Sequence, residues 1–360
     1  MRRGLDKRRA VAYQCRARPR GGRMPNRYVI YGAGGIGCTI GARLFASGRE
    51  VVLIARGPHL EAIREHGLTV KTPADTLELR IPAVASPDEV DFREDDVVFL
   101  TMRSQDCTDA LDELRLAGGA DLPVVCTQNG IENERMALRR FERVYAVEVL
   151  VATSFVEPGL VLSYDKHGGG TLVLGRYPDG ADELAHAIAA DLTAAGFRGE
   201  VEEQVMRWKY HKLIRNLGAA FPAIFGPGAD TVALRARLED ETEAVFQAAG
   251  IDYASREESA AAGRAPGFEW GEIPGHGAFT SSVWQGVQRG NRSVETDYVN
   301  GEIVLIGALH GVPTPWNRAL QRAANHYVRN GIEPGSISVD DFVADVEREI
   351  AGAVAEGIAR

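Results

Sequence analysis

Two groups of residues in this chain could do chemistry: glycines spaced to admit a phosphate, and polar side chains that recur at helical spacing. The glycines are those of Gly32-Ala33-Gly34-Gly35-Ile36-Gly37, a Gly-x-Gly-x-x-Gly pattern that follows the apolar run Tyr28-Val29-Ile30-Tyr31. Gly32 allows a tight turn, Gly34 lets a pyrophosphate approach the backbone, and Gly37 lets the next helix pack close to the strand. The start of that helix turns free N–H groups and a partial positive charge towards the phosphates. A second apolar run, Val51-Val52-Leu53-Ile54-Ala55, ends at Arg56-Gly57, where an NAD enzyme would carry an acid for the ribose hydroxyls. A planar, permanently charged guanidinium there suits a 2′-phosphate; otherwise Arg56 is a solvated loop arginine.

Further along, Trp208, Lys212 and Asn216 fall four apart and share one helix face. A Lys and an Asn on one face can bind a carbonyl oxygen and a hydroxyl, or form an exposed polar stripe. Spacing alone favours the stripe. Lys209, His211 and Arg215 point elsewhere and read as solvated. Glu295 opens a helix with Val299, Ile303 and Leu305 behind it, a place where the helix dipole alone favours an acid. Asn129 lies just past the strand 124–127, where ligands sit in open α/β sheets. Ser281 and Ser282 say little by themselves.

The elements that must position these residues alternate from Arg27 to about Gly199. Apolar strands at 28–31, 51–55, 97–102, 124–127 and 144–155 are separated by helical patterns, which predicts an α/β, Rossmann-type doubly wound sheet. Glycines at 168–170 predict a hairpin ending in the strand 171–175, with antiparallel strands added at the sheet's end. Beyond about Glu202 long helical patterns take over, at 202–225, 230–249, 279–289, 294–310 and 316–330, followed by an amphipathic helix at 339–358 read as peripheral. The domains are therefore drawn as a leader over 1–26, a nucleotide-binding domain over 27–201, an all-helical substrate and dimerisation domain over 202–335, and a helical tail over 336–360.

Net charge is −9, unevenly spread: residues 1–23 hold nine Arg or Lys and one Asp, so the remainder carries −17. An acidic body argues against nucleic-acid binding and leaves an anionic ligand to a few local cations. The leader has no apolar core for a secretory signal, and Met24 abuts the first strand, so Met24 reads as the true first residue and 1–23 as disordered. No run approaches the ~18 apolar residues of a membrane span. Cys15, Cys38, Cys107 and Cys126 show no Cys-x-x-Cys, and the eight histidines no His-Glu-x-x-His; reduced thiols, a cytoplasmic protein and no metal site are expected.

In this order the motifs resemble the ketopantoate reductase (2-dehydropantoate 2-reductase) family. The resemblance rests on the glycine loop, Ala55-Arg56-Gly57, Thr127-Gln128-Asn129-Gly130, Trp208 with Lys212-Leu213-Ile214-Arg215-Asn216, Ser281-Ser282, and Glu295-Thr296-Asp297-Tyr298-Val299-Asn300-Gly301. It runs from Arg27 to about Asn330. It implies a cleft between the two domains for NADPH and a 2-keto acid, first of all 2-dehydropantoate, which would be reduced to pantoate. It implies that Lys212 protonates the ketone oxygen and that Glu295 orients the substrate and this lysine. Asn129, Asn216 and Ser282 would bind cofactor amide, hydroxyl or carboxylate. Arg103 stands in a cofactor loop where the family often has Lys, keeping charge but not shape. A second Asn, four residues after Asn216, is replaced by Ala220, so one hydrogen bond to a substrate hydroxyl is expected to be missing. A homodimer is compatible with the resemblance. The competing readings are the same chemistry on another 2-keto acid and a non-catalytic NADPH-binding regulator. A pure sensor has no need of Lys212, Asn216, Ser282 and Glu295 together.

Overall fold

The computed structural model of the protein describes residues 27–166, 169–264, 269–277, 279–280, 282–288 and 290–355. The leader and Met24 therefore lie outside the described residues, as do Ser281 and the side chain of Ser282.

In chain order the first half forms β1 (Arg27–Tyr31), α1 (Gly35–Ala46), β2 (Glu50–Ile54), α2 (Gly57–His66), β3 (Leu68–Lys71), β4 (Thr76–Leu79), β5 (Ala83–Val84), β6 (Asp96–Leu100), α3 (Cys107–Gly118) and β7 (Val124–Cys126). It continues with α4 (Asn133–Leu138), β8 (Val144–Leu150), β9 (Thr153–Glu157), β10 (Leu160–Ser163), β11 (Thr171–Arg176), α5 (Glu183–Ala194) and β12 (Arg198–Val201). Eight strands make one sheet in the order β12-β11-β8-β7-β6-β1-β2-β5, parallel throughout except where β11 meets β8. β1 and β6 are buried along their whole length, which is why both read as continuous apolar runs. Their one charged pair, Arg27 and Asp96, is bidentate, with Nε and Nη2 each 2.6 Å from the carboxylate.

A second, four-stranded sheet, β4-β3-β10-β9, covers the other side of α1, so that this helix lies between two sheets. The sequence reading missed this sheet and misassigned its neighbours. The run 144–155 is not one strand: β8 ends at Leu150, and β9 starts at Thr153 in the second sheet. The hairpin predicted at 168–170 does not form between adjacent strands. β11 pairs antiparallel with β8 (Thr171 opposite Leu150, Arg176 opposite Tyr145), while β10 pairs with β3 and β9. Short alternating strands such as Leu68–Lys71 and Thr76–Leu79 bury one face only, and so read as loop in a pass that looks for apolar runs.

The second half is helical: α6 (Val205–Asn216), α7 (Phe221–Phe225), α8 (Val232–Ala249), α9 (Arg256–Ala261), α10 (Ser282–Gln288), a 3-10 turn (Glu295–Tyr298), α11 (Asn300–His310), α12 (Pro315–Asn330) and α13 (Val339–Ala355). Pro222 sits in the first turn of α7, where its missing N–H costs nothing, and splits the predicted 202–225 helix in two. No helix among the described residues is long and apolar enough to cross a membrane.

The last helix is not peripheral. Phe342 and Val346, four apart, are buried in the helical core, and the Phe342 ring stands edge-on to Phe225 at 5.4 Å. Phe342→Ala should therefore cost about 3–5 kcal/mol of unfolding free energy. Val354→Ala, on the exposed side of the same helix, should be nearly silent. Urea denaturation of the two variants checks this.

Candidate active site

The glycine loop takes its shape from what it must clear. Gly32 has φ +103°, and a Cβ on it would lie 2.5 Å from Met102 N. A Cβ on Gly37 would lie 2.5 Å from Thr101 Oγ1, so only glycine lets α1 close onto β1 and β6. Thr101 Oγ1 also donates to Gly32 O at 2.7 Å, pinning the loop. The first turn of α1 carries no acid, which leaves its N–H groups and partial positive charge free for an anion.

The loop forms one wall of a cleft of about 690 Å³ at the carboxyl ends of β1, β2, β6 and β7. Gly32, Ala33, Gly34, Gly35, Ile36, Arg56, Arg103, Asn129 and Glu295 line it, and the helical half contributes Val283, Gln285 and Asn291. This is the topological switch point of the sheet, where the chain leaves β1 for β2 on one side and β6 on the other. Arg56 is two-thirds exposed at the entry to α2, with Nη2 3.5 Å from Glu113. Arg103 bridges the halves, reaching Asp106 at 3.2 Å and Ser293 O at 3.3 Å.

Glu295 is tied to the loop after β6. Ser104 N–H donates to its Oε1 at 2.9 Å, and burial raises its pKa while that N–H lowers it. The same loop holds Asn129: Ser104 Oγ (3.3 Å) and Asn133 Nδ2 (3.1 Å) both donate to Asn129 O.

Lys212, Asn216 and Gly37 are not on the wall of this cleft. Lys212 reaches β8, where its Nζ donates to Val149 O. Burial lowers its pKa to about 7; Glu148 and Glu295 favour its charge, and Lys209 and Arg215 oppose it. Asn216 ends α6 and is half-buried. Ala220 is buried in the helical core ahead of α7 and does not line the cleft.

The solvated face expected for Lys209 and His211 does not exist. Lys209 is 4% exposed, ion-paired with the buried Glu134, and donates to Gln128 O at 3.2 Å; His211 is buried too, and only Arg215 is exposed. α6 is wedged between β8, β11 and the helical core, so three of its faces have neighbours. A helical wheel gives relative direction, not what stands opposite. Ser104, Glu134 and Glu148 also escaped the sequence reading. Glu148 carried a usable signal, being the single acid in the apolar run 144–152.

A doubly wound sheet with a glycine loop at its switch point, closed by a helical half that carries a Lys and a Glu, defines a nucleotide-binding oxidoreductase. The chain belongs to the ketopantoate reductase family. Residues 28–179 match the family model "Ketopantoate reductase PanE/ApbA", and residues 204–328 match its C-terminal companion. The 2-dehydropantoate 2-reductase of Pyrococcus abyssi is 26% identical over 302 residues, 81% of this chain and 94% of that protein. A crystal structure of a PanE/ApbA family ketopantoate reductase from Ralstonia eutropha is 30% identical, covering 85% of this chain and 99% of that one at a TM-score of 0.69. A D-mandelate dehydrogenase solved with NADH and anilino(oxo)acetate shares the fold at a TM-score of 0.70 and 23% identity, covering 85% and 99%.

Lys209→Ala strands Glu134 in the interior and should cost about 3–5 kcal/mol. The loss should appear as a lower denaturation midpoint, accompanied by weaker cofactor binding because Gln128, beside Asn129, loses its anchor.

Proposed function

We propose that the protein reduces a 2-keto acid with NADPH, and that 2-dehydropantoate, reduced to pantoate, is the first substrate to expect. The observation that carries this reading is the meeting of the glycine loop, two arginines and Glu295 in one cleft, with Glu295 among the charges that favour a proton on Lys212. The loop suits a dinucleotide's phosphates: a Cβ on Gly34 would have only Gly32 O, at 3.9 Å, as a neighbour within 4 Å, so that side of the backbone is open to a ligand. When bound, the nicotinamide supplies the hydride. Arg56 exchanges Glu113 for the 2′-phosphate, and Arg103 adds a second cation. Asn129 faces the cofactor amide, and Asn216 and Ser282 serve the substrate's hydroxyl and carboxylate. Lys212 gives its proton to the ketone oxygen as negative charge develops there, a contribution of typically ~10²–10⁴-fold. Glu295, fixed by Ser104, orients substrate and lysine.

The same reduction of a different 2-keto acid is a second reading. Its support is a fold neighbour, D-mandelate dehydrogenase, solved with NADH and anilino(oxo)acetate.

NADPH oxidation against a panel of 2-keto acids tests both readings. Lys212→Ala should lower kcat about 10²-fold or more while NADPH still binds. The kcat/KM profile reports the free enzyme's groups. The charged amine is the donor, so activity should be full below about pH 7 and fall as Lys212 loses its proton above it. A flat profile from pH 6 to 9, or wild-type kcat in Lys212→Ala, overturns the assignment. Arg56→Ala should weaken NADPH roughly ten- to hundredfold, from a charge-assisted bond of about 1.5–3 kcal/mol, and leave NADH nearly unchanged; titration calorimetry with each cofactor measures the difference.

A further inference from the structure

Around Lys212 every charged group but one has a partner. On its own helix, Lys209 is paired with Glu134, and Arg215 is exposed. Glu295, on the 3-10 turn, accepts from Ser104 N–H and faces Arg103. Glu200, on β12, holds Arg264 at 2.6 Å and also pairs with Arg198, while the Arg264 guanidinium stacks on Trp208 at 3.8 Å. Glu148 differs. It lies in the middle of β8 and is 1% exposed, and its Oε2 has no hydrogen-bond partner among the described residues. Its neighbour in the strand, Val149, offers the carbonyl that receives the Lys212 ammonium. β7 stops at Cys126 opposite Ala146, so this end of β8 extends past its parallel neighbour and meets α6 instead.

We propose that Glu148 is the counter-charge of Lys212: a positioning residue, outside the cleft wall, that keeps a proton on the amine which protonates the substrate. The proposal rests on the reading of Lys212 as proton donor. An isolated buried carboxylate is costly, and so is an isolated buried ammonium; with the ammonium held at the carbonyl of the next residue in β8, each charge lowers the cost of the other. The titration balance agrees with the geometry. Burial raises the Glu148 pKa, with Lys212 the largest opposing influence, and Glu148 is the largest influence holding the Lys212 pKa up. When Lys212 passes its proton to the ketone oxygen, Glu148 is left unbalanced, and the amine takes its next proton from solvent.

The chain has five lysines (Lys7, Lys71, Lys166, Lys209 and Lys212), so a protein labelled with carbon-13 at the lysine ε position gives few signals, and Lys212→Ala identifies the one in question. In Glu148→Gln, which keeps shape and removes charge, the Lys212 midpoint should fall by about 1 pH unit or more. The high-pH limb of kcat/KM for NADPH-dependent reduction should move down with it, so that activity drops about tenfold at a pH above both midpoints and is retained below them. Glu148→Asp, which keeps the charge, should leave the midpoint near wild type. A merely structural role would lower activity equally at every pH and leave the lysine midpoint in place; that result overturns the proposal. If Glu148→Gln does not fold, an unshifted Lys212 signal in Glu148→Ala or Glu148→Leu decides against it. Failure of the functional reading is separate: Lys212→Ala would then keep wild-type kcat whatever Glu148 does.

Discussion

A charge cannot be left alone in an apolar interior, and α6 carries two lysines into one. This constraint organises the contact between the halves of the molecule. Lys209 finds Glu134 on α4, and its Nζ also holds Gln128 O, in the loop that carries Asn129. Lys212 turns instead to β8 and the carbonyl of Val149. Desolvation of each ion is worth several kcal/mol, so neither lysine could sit where it does without a partner from the other half. The helical half is thereby registered against the nucleotide-binding half, and the cleft between them inherits that register.

The cleft itself depends on close approach. Gly32 passes Met102, Gly35 passes Thr153 and Gly37 passes Thr101, each at a distance that excludes a Cβ. Three strands or loops thus converge on the start of α1, which lies buried between the two sheets. Rigidity at this point is what positions backbone N–H groups for an anion. The loop after β6 extends the same framework: Ser104 anchors both Asn129 and Glu295, so one residue couples the loop after β7 to the 3-10 turn of the helical half.

Electrostatics act on top of that scaffold. The body of the protein is strongly acidic, and the cleft meets an anionic ligand with two arginines, each already engaged by an acid, Arg56 with Glu113 and Arg103 with Asp106. Both pairs are exposed enough to be screened by water, so each contributes little to stability. The buried charges behave in the opposite way. Lys212 and Glu148 are shifted because water is absent, and a shifted lysine near neutral pH is what proton transfer at physiological pH asks for.

The sequence by itself determined what local patterns determine. Gly32 and Gly37 after a run of buried apolar residues specify strand, turn and helix, because only glycine clears its neighbours there. Runs such as Val97–Leu100 announce strands buried on both faces, and Pro222 marks a helix start, where a missing N–H is tolerated. Arg56 and Asn129 stood out by their place after a strand end, whereas Arg103 and Glu295 were joined to them in one cleft only through the family resemblance. The second sheet was not legible, since its strands bury one face each and pair across distant segments. Nor was the environment of α6. Spacing places Lys209 and Lys212 three apart on one helix, but only the tertiary structure puts Glu134 opposite the first and the Val149 carbonyl against the second. Burial and charge pairing are properties of neighbours brought from elsewhere in the chain, and no window of sequence around a residue contains them.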